Sequence, residues 1–365
     1  MSEVAELTKE LVAIPSHEDE TAAGDWIESW LREHTDATVE RDDAPGGGNV
    51  IARKGGGEGG DAPSLALVGH HDVVPPDESQ VAADGSYVVE ERDGRIYGRG
   101  SADMKGADVA MLLAFRDADP DAELIFASFV GEESAGTGCR HAIENGFVPD
   151  YALVGEGSTN YAGPDQTDVV VAHKGRRGST VVASGAAAHA SEPELGENAI
   201  YRACDAVDLL RDLDAPSMEI AGETVEGSVV VTEIDGGTAM NVVPERCTIT
   251  VDERTVPGER ADVGRVEDVE GVEWTVDRDL PPMQCEDEGF VDAVLEAARD
   301  AQENEPVATI KPHATDAGWL AQAGVETIVS GPSEPGEAHT ADESASIAVL
   351  ERCERIYRGV ATNWP

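Results

Sequence analysis

The chain has 365 residues, of which 74 are Asp or Glu and 26 are Lys or Arg, giving a formal net charge of −48. A chain of this length exceeds what one hydrophobic core usually supports, so we expect two domains. The scattered acidic charge argues against nucleic acid and anionic membranes as partners. It is typical of a protein adapted to high salt, in which cations screen the self-repulsion.

The cysteines and the N-terminal segment favour a cytoplasmic protein. The five cysteines are far apart and form no CxxC pair, which predicts reduced, structural thiols and no thiolate zinc site. The N-terminal segment MSEVAELTKELVAI lacks a basic stretch followed by an apolar core, and no apolar run approaches the roughly 20 residues that a spanning helix needs. We therefore predict a soluble protein without a membrane segment.

Helical and strand patterns alternate in the first half of the chain. Apolar residues at helical spacing predict a helix over residues 4–12 and another over 109–115. Buried strands are predicted at 65–68, 124–130 and 151–154, each a short apolar run with glycine just after it. This alternation predicts an α/β fold, a mostly parallel sheet covered by helices on both faces.

The pattern changes near residue 178. The following segment reads as strand, helix, two alternating strands, a weak helix over residues 261–269 and a last strand, an order that suits a ferredoxin-like α+β insert. After the Pro281-Pro282 pair, a helix and a buried strand at 327–330 return to the first pattern. We predict a discontinuous main domain of residues 1–177 and 279–365, interrupted by an inserted domain of residues 178–278.

Potential metal ligands lie just past strand ends or in the loops that leave them. They are His70, Asp103, Glu133, Glu156 and His339. The carboxyl ends of parallel strands converge on one crevice, where two imidazoles and three carboxylates could hold two divalent ions if one carboxylate bridges. Asp103, in a glycine-flanked loop, is the candidate bridge. Without thiolates the set suits zinc, with cobalt or manganese as alternatives. Asp72 could orient His70, whereas Glu156 taken alone could be a solvated surface acid.

Six ordered motifs resemble those of one metallohydrolase family. They are GHHDVVPP, GRGSADMKG, GEESAGTG, GEGS, NVVPERCTITVDERTVPG and GPSEPGEAHTADE. The chain is similar over nearly its whole length to the family of acetylornithine deacetylase, succinyl-diaminopimelate desuccinylase, aminoacylase and glutamate carboxypeptidase. The resemblance implies a zinc-exopeptidase-like catalytic domain. It also implies that the insert is a lid and dimerisation domain, and hence that the protein is a homodimer.

The resemblance also implies a role for each residue of the cluster. His70 and Glu156 would hold one zinc, Glu133 and His339 the other, and Asp103 would bridge them. Asp72 would orient His70, and Glu132 would be the general base. Elementary geometry agrees, because adjacent residues of a turn point apart, so that Glu132 and Glu133 cannot both serve one ion in the same way.

Four more residues match family positions outside the cluster. By resemblance, His189 would reach the active site of the partner subunit, although an isolated histidine after a strand is ordinarily a surface residue. Asn241 and Arg254 resemble positions that hold the substrate carboxylate, for which a guanidinium is well suited. The alternative for Arg254 is an ion pair in an acid-rich domain. Thr315 lies where Ala314-Thr315-Asp316-Ala317 replaces the family's Gly-Thr-Asp-Ala, and we assign it to a substrate loop that differs.

These observations predict a zinc-dependent amidohydrolase of amino-acid biosynthesis that cleaves an N-acyl amino acid, of the acetylornithine deacetylase or succinyl-diaminopimelate desuccinylase type. One alternative is a dipeptidase or carboxypeptidase that uses the same metals. Another is a non-catalytic binding module, against which the presence of all five ligands and Glu132 argues.

Overall fold

The structure is a computed structural model that describes residues 2–56, 62–120 and 122–364. Its α-helices are α1 (Glu3–Val12), α2 (Thr21–His34), α3 (Lys105–Asp117), α4 (Thr137–Glu144), α5 (Ala199–Arg211), α6 (Glu288–Ala301), α7 (Asp316–Gln322) and α8 (Ile347–Asn363). Short 3₁₀ helices lie at Glu78–Gln80, Pro193–Leu195 and Val263–Asp268.

The strands up to the middle of the chain are β1 (Thr38–Arg41), β2 (Val50–Lys54), β3 (Leu65–His70), β4 (Glu90–Arg92), β5 (Arg95–Tyr97), β6 (Leu124–Phe129), β7 (Tyr151–Val154), β8 (Val169–His173), β9 (Gly175–Ser184) and β10 (Ala188–His189). The remaining strands are β11 (Ser217–Ile220), β12 (Glu223–Glu226), β13 (Ser228–Gly236), β14 (Val242–Val243), β15 (Arg246–Thr255), β16 (Val272–Leu280), β17 (Met283–Gln284), β18 (Ala308–Lys311), β19 (Glu326–Val329) and β20 (Ser344–Ser346).

The chain folds as two compact units. The large unit comprises residues 1–172, 283–311 and 315–365, and the inserted unit comprises residues 173–282 and 312–314. The large unit is therefore discontinuous in sequence.

A nine-stranded sheet forms the centre of the large unit, in the order β1-β2-β6-β3-β7-β19-β8-β17, with β18 also paired to β8. The four central strands β6, β3, β7 and β19 are parallel, whereas β1, β2 and β8 join them through antiparallel pairs. The predicted α/β class is confirmed, and its parallel pairing is confined to the centre. The short loop between β1 and β2 explains their antiparallel pairing, because a parallel pair needs a longer crossover.

Helices cover both faces of this sheet, as the apolar strand patterns predict. Every residue of β3 is buried, because its alternate side chains face two different helical layers. On one face Phe126 of β6 packs against Phe115 of α3, a helix that itself lies against α1 and α8. On the other face Ala66 and Val68 join a core that includes residues of α4 and α7. The three strands β6, β3 and β7 are thus held rigidly, with their carboxyl ends at one edge.

The inserted unit has a four-stranded antiparallel sheet in the order β13-β15-β9-β16. Helix α5, capped by Asn198, buries Ala199, Ala203 and Leu210 against this sheet. The strand order is that of a ferredoxin-like fold, as predicted. The second predicted helix is wrong in type, since Val263–Asp268 is a 3₁₀ helix. Gly264 lowers the α-helical propensity of this segment.

No helix in the described ranges has both the length and the apolar character that crossing a bilayer requires.

Candidate metal centre

The carboxylate of Asp103 lies between two imidazoles that come from distant parts of the chain. Its Oδ1 is 3.2 Å from Nε2 of His70, and its Oδ2 is 3.2 Å from Nε2 of His339. Each carboxylate oxygen therefore faces a different histidine. This is the arrangement that a carboxylate bridging two cations requires.

Each imidazole also has a second carboxylate of its own. Oε1 of Glu156 is 3.5 Å from Nε2 of His70, and Oε1 of Glu133 is 2.8 Å from Nε2 of His339. The ligand atoms of Asp103, Glu133 and His339 lie within 4.8 Å of one another. Two nitrogen donors and three carboxylates arranged in this way fit a pair of divalent cations.

Three neighbouring parallel strands carry most of the cluster to one edge of the sheet. Strand β3 ends at His70, β7 is followed by Gly155 and Glu156, and β6 leads through Gly131 into Glu132. Gly131 has φ +63°, a left-handed conformation that glycine adopts without strain, and it turns the chain back toward the crevice. The apolar strands thus place the polar residues that follow them side by side.

Asp72 connects His70 to the turn that follows β6. Its Oδ1 is 3.2 Å from Nδ1 of His70 and accepts a hydrogen bond from the backbone N–H of Glu132, while its Oδ2 accepts one from the N–H of Glu133. A proton held on Nδ1 leaves Nε2 of His70 free for a cation. Asp72 is only 4% exposed, so this one buried carboxylate fixes three members of the cluster.

Glu132 and Glu133 serve opposite sides of the cluster. The carboxylate of Glu132 lies with His70 and Glu156, within 4.8 Å ligand atom to ligand atom, whereas that of Glu133 lies with Asp103 and His339. Burial raises the pKa of Glu132 well above its ordinary value, and the carboxylates of Asp316, Glu156 and Glu133 add to the shift. A buried carboxyl group that favours its protonated form beside such a cluster is suited to proton transfer.

Two titratable residues at the cluster, Lys311 and Asp316, were not predicted from the sequence as site residues. Nζ of Lys311, at the end of β18, is 3.1 Å from Oε2 of Glu156. Burial raises the pKa of Glu156, but the Lys311 ammonium and the His70 imidazole together outweigh burial, so the net shift is downward. Asp316 is 3% exposed, neither of its carboxylate oxygens accepts a hydrogen bond from the described residues, and burial raises its pKa to about 8. Lysine is rare in this acidic chain, and that rarity was the sequence feature that could have indicated Lys311.

The residues predicted from the inserted domain lie in the inserted unit. His189 is exposed at the end of β10, and the side chain of Asn241 is exposed. Nε of Arg254 donates to Oδ1 of Asp252 at 2.7 Å, which is the ion pair named above as its alternative. The substrate contacts of Asn241 and Arg254 remain predictions.

Thr315 belongs to the large unit and caps helix α7. Its Oγ1 accepts a hydrogen bond from the backbone N–H of Ala317, which satisfies one of the free amides of the first turn. This cap holds Asp316 at the start of the helix. The role of Thr315 in substrate binding remains a prediction.

The charges of the cluster predict that binding of divalent cations releases protons. Hydrogen bonds to Asp103 and Glu133 raise the pKa of His339 to about 10. Burial lowers the pKa of His70, but its hydrogen bonds to Asp103, Asp72 and Glu156 outweigh burial and raise the pKa well above its ordinary value. Both imidazoles of the metal-free protein are therefore protonated at neutral pH, and a cation must displace these protons.

Zinc added to weakly buffered metal-free protein near neutral pH should release on the order of two protons per chain, as followed with a pH indicator. The apparent affinity should rise with pH, because fewer protons then compete. An affinity that stays constant from about pH 6 to pH 8 would contradict this linkage.

Comparison with known proteins agrees with the geometry. Residues 66–363 match peptidase family M20/M25/M40. The acetylornithine deacetylase of Vibrio campbellii is 30% identical over 347 residues, which cover 89% of this chain and 86% of that protein.

Two solved structures share the fold at 18% sequence identity. Aminopeptidase PepT of Bacillus cereus superposes with a TM-score of 0.80 over 98% of this chain and 97% of its own. YXEP of Bacillus subtilis, a dinuclear metal-binding peptidase, has a TM-score of 0.70 with 98% and 96% covered. The resemblance seen in the six motifs is thereby confirmed. The chain belongs to peptidase family M20/M25/M40 and is a metal-dependent hydrolase.

Proposed function

We propose that the protein is a dizinc deacylase that hydrolyses the amide bond of an N-acyl amino acid. The observation that carries the proposal is the carboxylate of Asp103, which lies between two imidazoles that each have a carboxylate of their own. The similarity to an acetylornithine deacetylase supports the substrate class. The same oxygen and nitrogen ligands also suit cobalt or manganese.

The residues divide into ligands and a base. His70 and Glu156 would hold one cation, Glu133 and His339 would hold the other, and Asp103 would be shared by both. When bound, such ions polarise the substrate carbonyl and lower the pKa of water. Glu132 accepts the proton of the attacking water and delivers it to the leaving amine. Asp72 contacts both the imidazole of His70 and the backbone N–H of Glu132 and so fixes their relative positions.

His189 supplies a hydrogen-bond donor for the oxyanion that forms on the substrate, acting in the site of a second copy of the chain. Its Nδ1 accepts a hydrogen bond from the backbone N–H of Ser191 at 3.2 Å, which leaves Nε2 as the nitrogen that can donate. The ring is exposed on the inserted unit, so that this N–H is available to another molecule. Such a donor stabilises the developing negative charge.

The inserted unit carries an apolar edge suited to this second copy. Strand β13 is at the edge of its sheet and exposes 50% of Val230 and 54% of Ile234, and Met240 beyond it is fully exposed. An uncovered apolar edge strand favours pairing with another chain. We expect a homodimer that the substitution Ile234→Asp converts to monomers, as measured by light scattering coupled to size exclusion.

Val276→Asp is the matched control, because Val276 is also exposed (40%) but lies on β16 at the opposite edge. This variant should stay dimeric. A wild-type protein that is monomeric at micromolar concentration would contradict both the interface and the proposed role of His189.

A hydrolysis panel tests the reaction. The zinc-loaded protein is assayed with N-acetylornithine, N-succinyl-diaminopimelate and unblocked dipeptides, and one of the two acyl substrates should exceed the dipeptides in kcat/KM by about tenfold or more. The second candidate is a dipeptidase or carboxypeptidase, which the fold shared with an aminopeptidase favours. Dipeptides that are cleaved faster than every acyl amino acid would establish that candidate instead.

We further infer that the protein works in a salt-rich cytoplasm. All five cysteines are free thiols, four of them buried, as is typical of a reducing compartment. A net charge of −48 destabilises the compact state through repulsion between like charges. The Debye length, the distance over which salt screens charges, is about 10 Å at 0.1 M salt and about 3 Å at 1 M.

The melting temperature followed by circular dichroism should therefore rise by more than about 10 °C between 0.1 M and 2 M KCl, since a few kcal/mol shifts the melting temperature by about this much. Sucrose is the control, because it favours compact states without screening charge. Equal stability in dilute buffer would contradict the adaptation.

A further inference from the structure

One buried carboxylate outside the predicted cluster holds the loop that carries Asp103. Oε1 of Glu343 accepts three backbone hydrogen bonds, from Gly100 at 2.9 Å, Ala102 at 3.1 Å and Asp103 itself at 3.2 Å. Its Oε2 accepts a hydrogen bond from the guanidinium of Arg99. Four donors from residues 99–103 of one tight loop thus converge on a single side chain.

The same residue belongs to the segment that carries His339. Glu343 lies four residues after His339 and immediately before β20, which pairs antiparallel with β5. The loop to Asp103 starts directly after β5. The two segments therefore leave one strand pair side by side, and the carboxylate of Glu343 joins the second loop to the first.

The contact between the Glu343 side chain and this loop is buried and requires a carboxylate. Glu343 is 1% exposed and Arg99 is 3% exposed. Hydrogen bonds to a charged acceptor are about twice as strong as neutral ones, and a buried amide left without an acceptor carries the full cost of its lost hydration. A glutamine offers one oxygen to the amides, but its NH₂ group then faces the donors of the guanidinium.

We propose that Glu343 is a positioning residue that sets the distance between Asp103 and His339 and thereby the affinity of the centre for zinc. Asp103 faces both imidazoles at 3.2 Å, so a displacement of its loop disturbs both sides of the centre at once. His70 comes from the central strand β3 and stays in place. This inference rests on the proposed dizinc site.

The test compares Glu343→Gln and Glu343→Asp with Glu337→Gln. Aspartate keeps the charge but is shorter by one methylene, so it cannot reach Arg99 and all three amides together. Glu337 lies in the same segment and pairs with Arg95, which makes it the matched control. Hydrogen exchange of the amides of Gly100, Ala102 and Asp103 is measured in the metal-free proteins, and zinc affinity is measured by competition with a chelator.

Both Glu343 variants should exchange these three amides at least about tenfold faster and bind zinc about 10- to 100-fold more weakly, the usual effect of removing a group that supports a ligand. Glu337→Gln should match the wild type in both measurements. If Glu343→Gln does not fold, Glu343→Asp decides by the same two readouts.

The outcomes separate the two proposals. Wild-type protein that binds two zinc ions, together with Glu343 variants of unchanged exchange and affinity, would overturn the positioning role and leave the dizinc site intact. Wild-type protein that binds fewer than two zinc ions would refute the dizinc site, and the inference that rests on it would fall as well.

Discussion

Glu132→Gln should lower kcat by about 10²- to 10⁴-fold, the usual contribution of a general base, and leave the fold and the zinc content unchanged. Glutamine has the shape of glutamate but cannot accept a proton at neutral pH. The backbone N–H of residue 132 still donates to Asp72, so the turn after β6 keeps its place. The loss should appear in kcat with little change in KM, because the group acts on the reacting water and not on substrate binding.

Steady-state kinetics at saturating substrate and metal analysis of the same samples measure the two effects. Glu144→Gln is the control, since Glu144 is exposed at the end of α4 and should tolerate the change fully. Two other results would be informative. Loss of zinc from Glu132→Gln would make Glu132 a ligand beside His70 and Glu156, with which it lies. Activity within tenfold of the wild type would require a different base.

Asp103→Asn should weaken zinc binding by more than the 10- to 100-fold that is typical of removing a group that only supports a ligand. The carboxylate uses both oxygens, one toward each imidazole. The amide retains one oxygen and turns an NH₂ group toward the other histidine, so that no shared anionic ligand remains. Hydrolysis should fall below about one thousandth of the wild-type rate.

Zinc content after gel filtration and competition with a chelator give the affinity of this variant. Asp119→Asn, an exposed position shortly after α3, is the control and should keep two zinc ions. An Asp103→Asn variant that retains two ions with wild-type affinity would show that the two cations do not share this carboxylate.

The sequence predicted the fold where a local pattern determines it. Strands β3, β6 and β7 are mostly apolar because both faces of the sheet are covered, and such runs are visible without a structure. The antiparallel outer strands were not predicted, since strand direction depends on partners far away in the chain. The short 3₁₀ helix at Val263–Asp268 was predicted as an α-helix because its apolar spacing is nearly the same.

The candidate centre was predicted to the extent that its residues follow strands. His70 ends a buried strand, Glu133 and Glu156 follow buried strands within a few residues, and the structure brings them together with Asp103 and His339. Lys311 and Glu343 were not found. Lys311 ends a short strand of mixed polarity, and Glu343 contacts a loop about 240 residues earlier, which periodicity cannot reveal. Their partners are defined only by tertiary structure.

The wide spacing of the cluster along the chain has a consequence for biosynthesis. Chains emerge from the ribosome N-terminal end first, so His339 and Glu343 are made well after His70 and Asp103. A nascent polypeptide already presents His70 and Asp103 long before the segment that completes the crevice exists. Translation products that stop before residue 339 therefore lack one side of the candidate centre.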